Sequence, residues 1–153
     1  MIDQGDKLIF TWDDFKDAVY KLSKRIHPGA FSNPVVVGQM RGGMPLAVAL
    51  SHAFGWPMAS SDCLQHGFGW PYSFILWADD IIDSGKTYYE AKAMAANIDN
   101  GFKPFSIFIR EDIPNPNHFY FVHRVPKGKW VVFPWENLEK ADLDREQYRA
   151  SRQ

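Results

Sequence analysis

The run Ser73 to Ala78 (SFILWA) is apolar after its first residue and ends on two adjacent carboxylates, Asp79 and Asp80. A short run with no polar alternation reads as a strand buried on both faces, and such strands belong to parallel sheets covered by helices on both sides. Three further runs have this character: Pro34 to Gly38 (PVVVG), Phe105 to Ile109 (FSIFI) and Trp130 to Phe133 (WVVF). Weaker strands are expected near Met58 to Ser61 and Tyr120 to Val122.

Helices fall between them. Thr11 with Asp14 forms a capping box ahead of Phe15, Val19, Leu22 and Ile26, which recur at helical spacing until Pro28-Gly29. A second helix is expected from Met44 to Phe54, with Leu46, Leu50 and Ala53 inward, and a third from Lys86 to Asn97. Glu136 to Gln153 reads as a polar helical extension whose Glu136, Glu139, Asp142 and Asp144 form a solvated face. Strand and helix alternate, so the expected class is α/β, a single domain over residues 1–153 with a mostly parallel sheet flanked by helices. Ligands of such sheets sit beyond the carboxyl ends of the strands.

Net charge near −1 gives no global field for nucleic acid or an anionic membrane. The lone Cys63 excludes an internal disulfide and a Cys-rich zinc site. The opening residues lack a basic region followed by an apolar one, and no stretch approaches membrane-spanning length, so a cytoplasmic protein is expected.

The segment Asp79 to Thr87 (DDIIDSGKT) carries the chemistry. Paired acids at a buried strand end repel unless a cation or hydroxyls satisfy them. Ser84-Gly85-Lys86-Thr87 then opens a helix whose unpaired N–H groups cradle an anion. A nucleotide-binding P-loop would need glycine five residues before Gly85, and Asp80 stands there. The dinucleotide glycine fingerprint is absent, and an acidic pair so far along the chain does not suit a phosphoacceptor receiver domain. Upstream, Met40-Arg41-Gly42-Gly43 follows PVVVG; its glycines let backbone N–H groups approach an anion and its arginine offers a forked donor.

Strand, two acids, two aliphatics, Asp, Ser-Gly and Thr together resemble the signature of type I phosphoribosyltransferases. The resemblance implies that Asp79 and Asp80 hold the ribose, directly or through Mg²⁺, and that Asp83, Ser84, Gly85, Lys86 and Thr87 wrap the 5′-phosphate. It implies that Met40, Arg41, Gly42 and Gly43 bind pyrophosphate, with a non-proline cis peptide at or beside Met40–Arg41. The segment Lys129 to Glu136 (KWVVFPWE) resembles the base-binding segment of the xanthine-guanine branch, a short C-terminal hood. Arg110 stands where those enzymes place a lysine that meets the 6-oxo group. Arg110, Trp130, Val131 and Glu136 are thus the expected base contacts, and Asp83 the expected general base. The implied ligands are phosphoribosyl pyrophosphate, Mg²⁺ and a purine base or nucleotide, in a homo-oligomer. The closing loop of the family shrinks here to Asp62–Tyr72, and no Lys or Arg lies between Arg41 and Lys86; His66 is its one candidate. A non-catalytic sensor built on the same site is the rival expectation.

Overall fold

A computed structural model of the chain describes residues 1–66, 71–96, 101–114 and 116–150. Strand β1 (Ile2–Gln4) and strand β2 (Lys7–Ile9) open it, followed by helix α1 (Trp12–Ser23), strand β3 (Pro34–Gly38), helix α2 (Met44–Phe54) and strand β4 (Met58–Ser60). Strand β5 (Phe74–Ile82), helix α3 (Lys86–Met94), strand β6 (Phe102–Arg110), strand β7 (Tyr120–Val125), strand β8 (Trp130–Val132) and helix α4 (Ala141–Ala150) complete it.

Five strands form an all-parallel sheet in the order β4-β3-β5-β6-β7. Side chains alternate across it as the pleat requires. Val36, Phe74, Leu76 and Ala78 join the layer under α1 and α2, whereas Val35, Val37, Ile75 and Trp77 join Tyr88 and Ala91 of α3 on the other face. A small second sheet, β1-β2-β8, pairs β2 parallel with β8.

The capping box at Thr11 and Asp14 is present, and β3 and α2 have the expected bounds. Four expectations need correction. Helix α1 stops at Ser23, where the Ser23 hydroxyl donates to Tyr20 O at 2.8 Å, and Ile26 reaches the core from beyond it. Ala53 is exposed, because Phe54 and Trp56 cover that end of α2 and Ala47 takes the inward place. Strand β5 does not end at Ala78 but runs on through both acids, since Ile81 and Ile82 still pair with Phe108 and Ile109. The hood is also not purely C-terminal: β8 is held by the β1–β2 hairpin, through Trp130 N–H to Asp6 O at 2.8 Å and Lys129 to Asp3. The expected end of α3 at Asn97, residues 67–70 of the short loop and the His66 side chain lie outside the described residues.

Candidate active site

The order β4-β3-β5 contains a reversal. From β3 the chain crosses to β4 on one side, then returns past β3 to β5 on the other. The crevice beyond the carboxyl ends of β3 and β5 is the place where such sheets take ligands. Gln39 to Gly43 leave β3 there, and Asp79 to Thr87 form the end of β5 and the start of α3.

The two segments are built onto each other. Gln39 N–H donates to Ala78 O at 2.8 Å, and Trp77 Nε1 donates to Gln39 Oε1 at 3.3 Å. A Cβ on Gly43 would lie 2.3 Å from Ala78 O, and one on Gly42 would lie 2.0 Å from Asp80 Oδ2. Only glycine permits this approach. The Met40–Arg41 peptide is cis, at the expected place.

Asp79 is buried. Its carboxylate accepts from Asp80 N–H at 3.0 Å, and that of Asp80 accepts from Ile81 N–H at 2.8 Å. Burial, the neighbouring Asp80 charge and their shared hydrogen bond hold the Asp79 carboxyl well above the usual carboxylate range. Burial pushes Asp80 up to about 6. The pair is therefore short of positive charge. Hard carboxylate oxygens in a pair, beside room for phosphate oxygens, suit Mg²⁺, which binds through one or two carboxylates plus substrate. Among the described residues no cluster of three metal-ligating side chains exists to hold a cation alone.

Gly85 caps α3 in the left-handed conformation, φ 78°, and brings no side chain to that helix start, where Lys86 N–H reaches the Ser84 hydroxyl at 3.4 Å. A helix start of this kind, with Ser84, Gly85 and Thr87 lining a space, is able to cradle an anion. Lys86 is exposed and pairs with Glu90 one turn on, so it serves the helix surface.

Asp83 and Arg110 meet. Arg110 Nε donates to Asp83 Oδ1 at 2.6 Å and Nη1 donates to Lys129 O at 2.6 Å, with both side chains largely buried. The Tyr148 hydroxyl donates to Asp83 Oδ2. The residues expected as general base and base reader are therefore partners here. Val131 is buried against the hairpin, and the Glu136 carboxylate accepts from Phe133 N–H at 2.8 Å. Trp135 stacks on Phe133 at 4.9 Å, a packing role, while Trp130 meets Tyr148 edge-on at 5.5 Å.

Tyr148 was hidden in the tail read as a solvated extension. Its signal is the spacing Ala141, Arg145, Tyr148, one helix face. Ala141 is buried, Arg145 pairs with Asp6, and Asp142 pairs with Lys7 at 2.8 Å. The acidic partners are mostly exposed, and pairs of that kind stabilise little. Docking buries Trp130 Nε1 and Arg145 Nε, which meet no acceptor among the described residues.

Beside a space of about 430 Å³ lined by Asp83, Ser84, Arg110, Lys129, Trp130 and Tyr148, three further spaces border these residues. One of about 690 Å³ lies between Met40, Arg41, Asp79, Asp80 and Thr87. One of about 140 Å³ lies at Ser84, Gly85 and Thr87. A third, among Asp83, Arg110, Trp130, Val131 and Glu136, measures only about 90 Å³.

Solved structures share this architecture. A purine phosphoribosyltransferase from Pyrococcus horikoshii Ot3 superposes with TM-score 0.71 at 24% identity, over 87% of this chain and 95% of that one. The fold is that of the type I phosphoribosyltransferases. The xanthine-guanine-hypoxanthine phosphoribosyltransferase of Helicobacter pylori gives 0.69 at 21% identity, over 91% and 99%. A hypothetical protein from Neisseria gonorrhoeae with bound ppGpp gives 0.66 at 14% identity, over 97% and 99%. No protein-family model and no curated protein matches the chain. The phosphoribosyltransferase fold thus places the acidic pair, the cis-peptide loop and the glycine-capped helix around one crevice.

Proposed function

We propose that the protein transfers ribose 5-phosphate from phosphoribosyl pyrophosphate to a 6-oxopurine, with Mg²⁺ bound alongside the substrate. The observation that carries the reading is the contact of two motifs at the sheet's reversal. Gly42 lies so close to Asp80 that the pyrophosphate loop and the acidic ledge form one surface. Asp79 and Asp80 receive the ribose hydroxyls and the cation, the Arg41 loop receives pyrophosphate, and Ser84 to Thr87 receive the 5′-phosphate.

In the reaction the bond from C1′ to pyrophosphate breaks and a bond from C1′ to a purine ring nitrogen forms. The purine loses a proton, which Asp83 accepts. The cation supplies charge neutralisation to the leaving pyrophosphate. Because the sugar passes through an oxocarbenium-like state, the protein's contribution is positioning and electrostatics. Arg110 only donates hydrogen bonds, so it satisfies a 6-oxo group and repels the 6-amino group of adenine.

A sensor reading is favoured by one observation: Asp83 is engaged by Arg110 and Tyr148. The ppGpp in the Neisseria protein supports a phosphorylated purine as ligand on this fold. A steady-state assay with radiolabelled guanine, hypoxanthine, xanthine and adenine, with phosphoribosyl pyrophosphate and Mg²⁺, separates the two. Nucleotide formation from a 6-oxopurine but not adenine is expected. Tight binding of the sugar pyrophosphate without turnover of any base would establish the sensor instead.

A further inference from the structure

We propose that Tyr148 of α4 is a positioning residue: its hydroxyl fixes the Asp83 carboxylate in the orientation that meets the purine's proton. The inference rests on the proposed function, in which Asp83 is the general base. Tyr148 lines all four of the spaces described above, so it stands where the acidic ledge, the anion cradle and the hood join.

Asp83 follows the last residue of β5, in the turn that opens α3, so the sheet's ladder does not set its side chain. Two donors from distant elements do. Arg110, at the end of β6, donates through Nε to Oδ1 at 2.6 Å, and the Tyr148 hydroxyl donates to Oδ2. A contact to one carboxylate oxygen leaves a rotation about that contact. One donor on each oxygen fixes the plane.

The two donors bring different things. Arg110 brings charge, and it is itself braced against the hood by Nη1 on Lys129 O at 2.6 Å. Tyr148 brings direction without charge. Both favour the ionised carboxylate, the form in which a general base takes a proton. An ionised carboxylate has about four acceptor sites, more than these two donors use, so the purine N–H still has an oxygen to approach. Orientation of this kind matters, since a misplacement of about 1 Å is able to cost roughly 10²-fold in rate.

The place of Tyr148 is set by contacts other than its hydroxyl. Its ring meets Trp130 edge-on at 5.5 Å, and α4 is tied to the hairpin through Arg145 on Asp6 and Asp142 on Lys7. Tyr148→Phe therefore keeps the ring and the docked helix and removes the hydroxyl alone.

The test is a double-mutant cycle of Tyr148→Phe and Asp83→Asn in the full-length chain, with two readouts. In steady-state turnover of guanine, Tyr148→Phe is expected to lower kcat roughly tenfold or more, the worth of a hydrogen bond to a charged group, with KM for phosphoribosyl pyrophosphate within about twofold. Within Asp83→Asn it is expected to change kcat by less than about twofold. The second readout is isothermal titration of 9-deazaguanine with phosphoribosyl pyrophosphate and Mg²⁺. Carbon at position 9 of this analogue blocks transfer at that atom, and the nitrogen left in its five-membered ring carries the proton that faces Asp83. Tyr148→Phe is expected to weaken the analogue roughly tenfold in the wild-type background and not in Asp83→Asn. Equal losses in the two backgrounds overturn the proposal, because Tyr148 then acts through helix docking. So does a variant that matches wild type, or an analogue that does not bind wild type. A wild type that binds the analogue and turns over no base strikes the proposed function instead, and the titration cycle alone then decides whether Tyr148 positions Asp83.

Discussion

Gly42 and Gly43 are adjacent in sequence, yet alanine at each should fail in a different way. A Cβ on Gly42 would stand 2.0 Å from Asp80 Oδ2 and 2.6 Å from its Cγ. Those atoms belong to a side chain that rotates, so the fold yields cheaply, at about 1 kcal/mol, the low end for overpacking. The melting temperature should fall by about 2–4 °C in a domain of this size. The ledge, however, is lost. A displaced Asp80 gives up charge-assisted hydrogen bonds worth about 1.5–3 kcal/mol each, which is roughly ten- to hundredfold in affinity for phosphoribosyl pyrophosphate with Mg²⁺. A Cβ on Gly43 instead meets backbone, Ala78 O at 2.3 Å and Asp79 Cα at 2.8 Å. Backbone of the central strand does not rotate away, so Gly43→Ala should cost about 3 kcal/mol or more and lower melting by roughly 6–12 °C. Thermal melts and isothermal titration on the two variants give the four numbers. Binding in Gly42→Ala within twofold of wild type, or Gly43→Ala melting with wild type, would refute the packing of this loop on the acids.

Two further outcomes are expected. Thr11→Ala removes the side-chain acceptor for Asp14 N–H, and should cost about 1 kcal/mol, read as a melting-temperature drop of about 2–4 °C with ligand binding unchanged. The raised pKa values of Asp79 and Asp80 set a pH dependence. A carboxyl whose folded pKa exceeds its unfolded value near ~4 contributes stability that is complete below that value and is lost as pH rises through about 6 and beyond. Relative to Asp80→Asn, the wild type should thus lose stability from pH 5 to 8. In the proposed function Mg²⁺ with the sugar pyrophosphate takes the ionised pair, so the ligand-induced melting shift should grow over the same interval. A ligand shift that is flat from pH 5 to 8 would separate the pair from the binding site.

Much of the sheet was legible because its strands are apolar runs bounded by turn residues. PVVVG gave β3 its bounds. SFILWA gave the start of β5 but not its end, since Asp79 and Asp80 look like a loop until the pairing of Ile81 with Phe108 is known. The three-residue strands β1 and β2 are too short for any periodicity to emerge, and the Gly5-Asp6 turn between them was the available hint. At the site, the acidic ledge and the glycine loop were visible because their chemistry is local in sequence. The pairing of Asp83 with Arg110, and of Tyr148 with Asp83, joins residues far apart in the chain. A carboxylate, a guanidinium and a phenol each have several attractive partners, and only the fold selects among them.

The β2–β8 pairing has an evolutionary corollary. In the proposed function the sugar and phosphates are held by residues 39–43 and 79–87, on the central strands and the helix start that follows them. The hood is built apart from this centre: β8 pairs with the hairpin at residues 2–9, and β8 and α4 meet the central residues through Arg110 on Lys129 O and Tyr148 on Asp83. Substitutions in the hood leave the central sheet's ladder intact. A lineage can thus revise which base it reads, or give up reading one, while retaining its hold on the activated sugar.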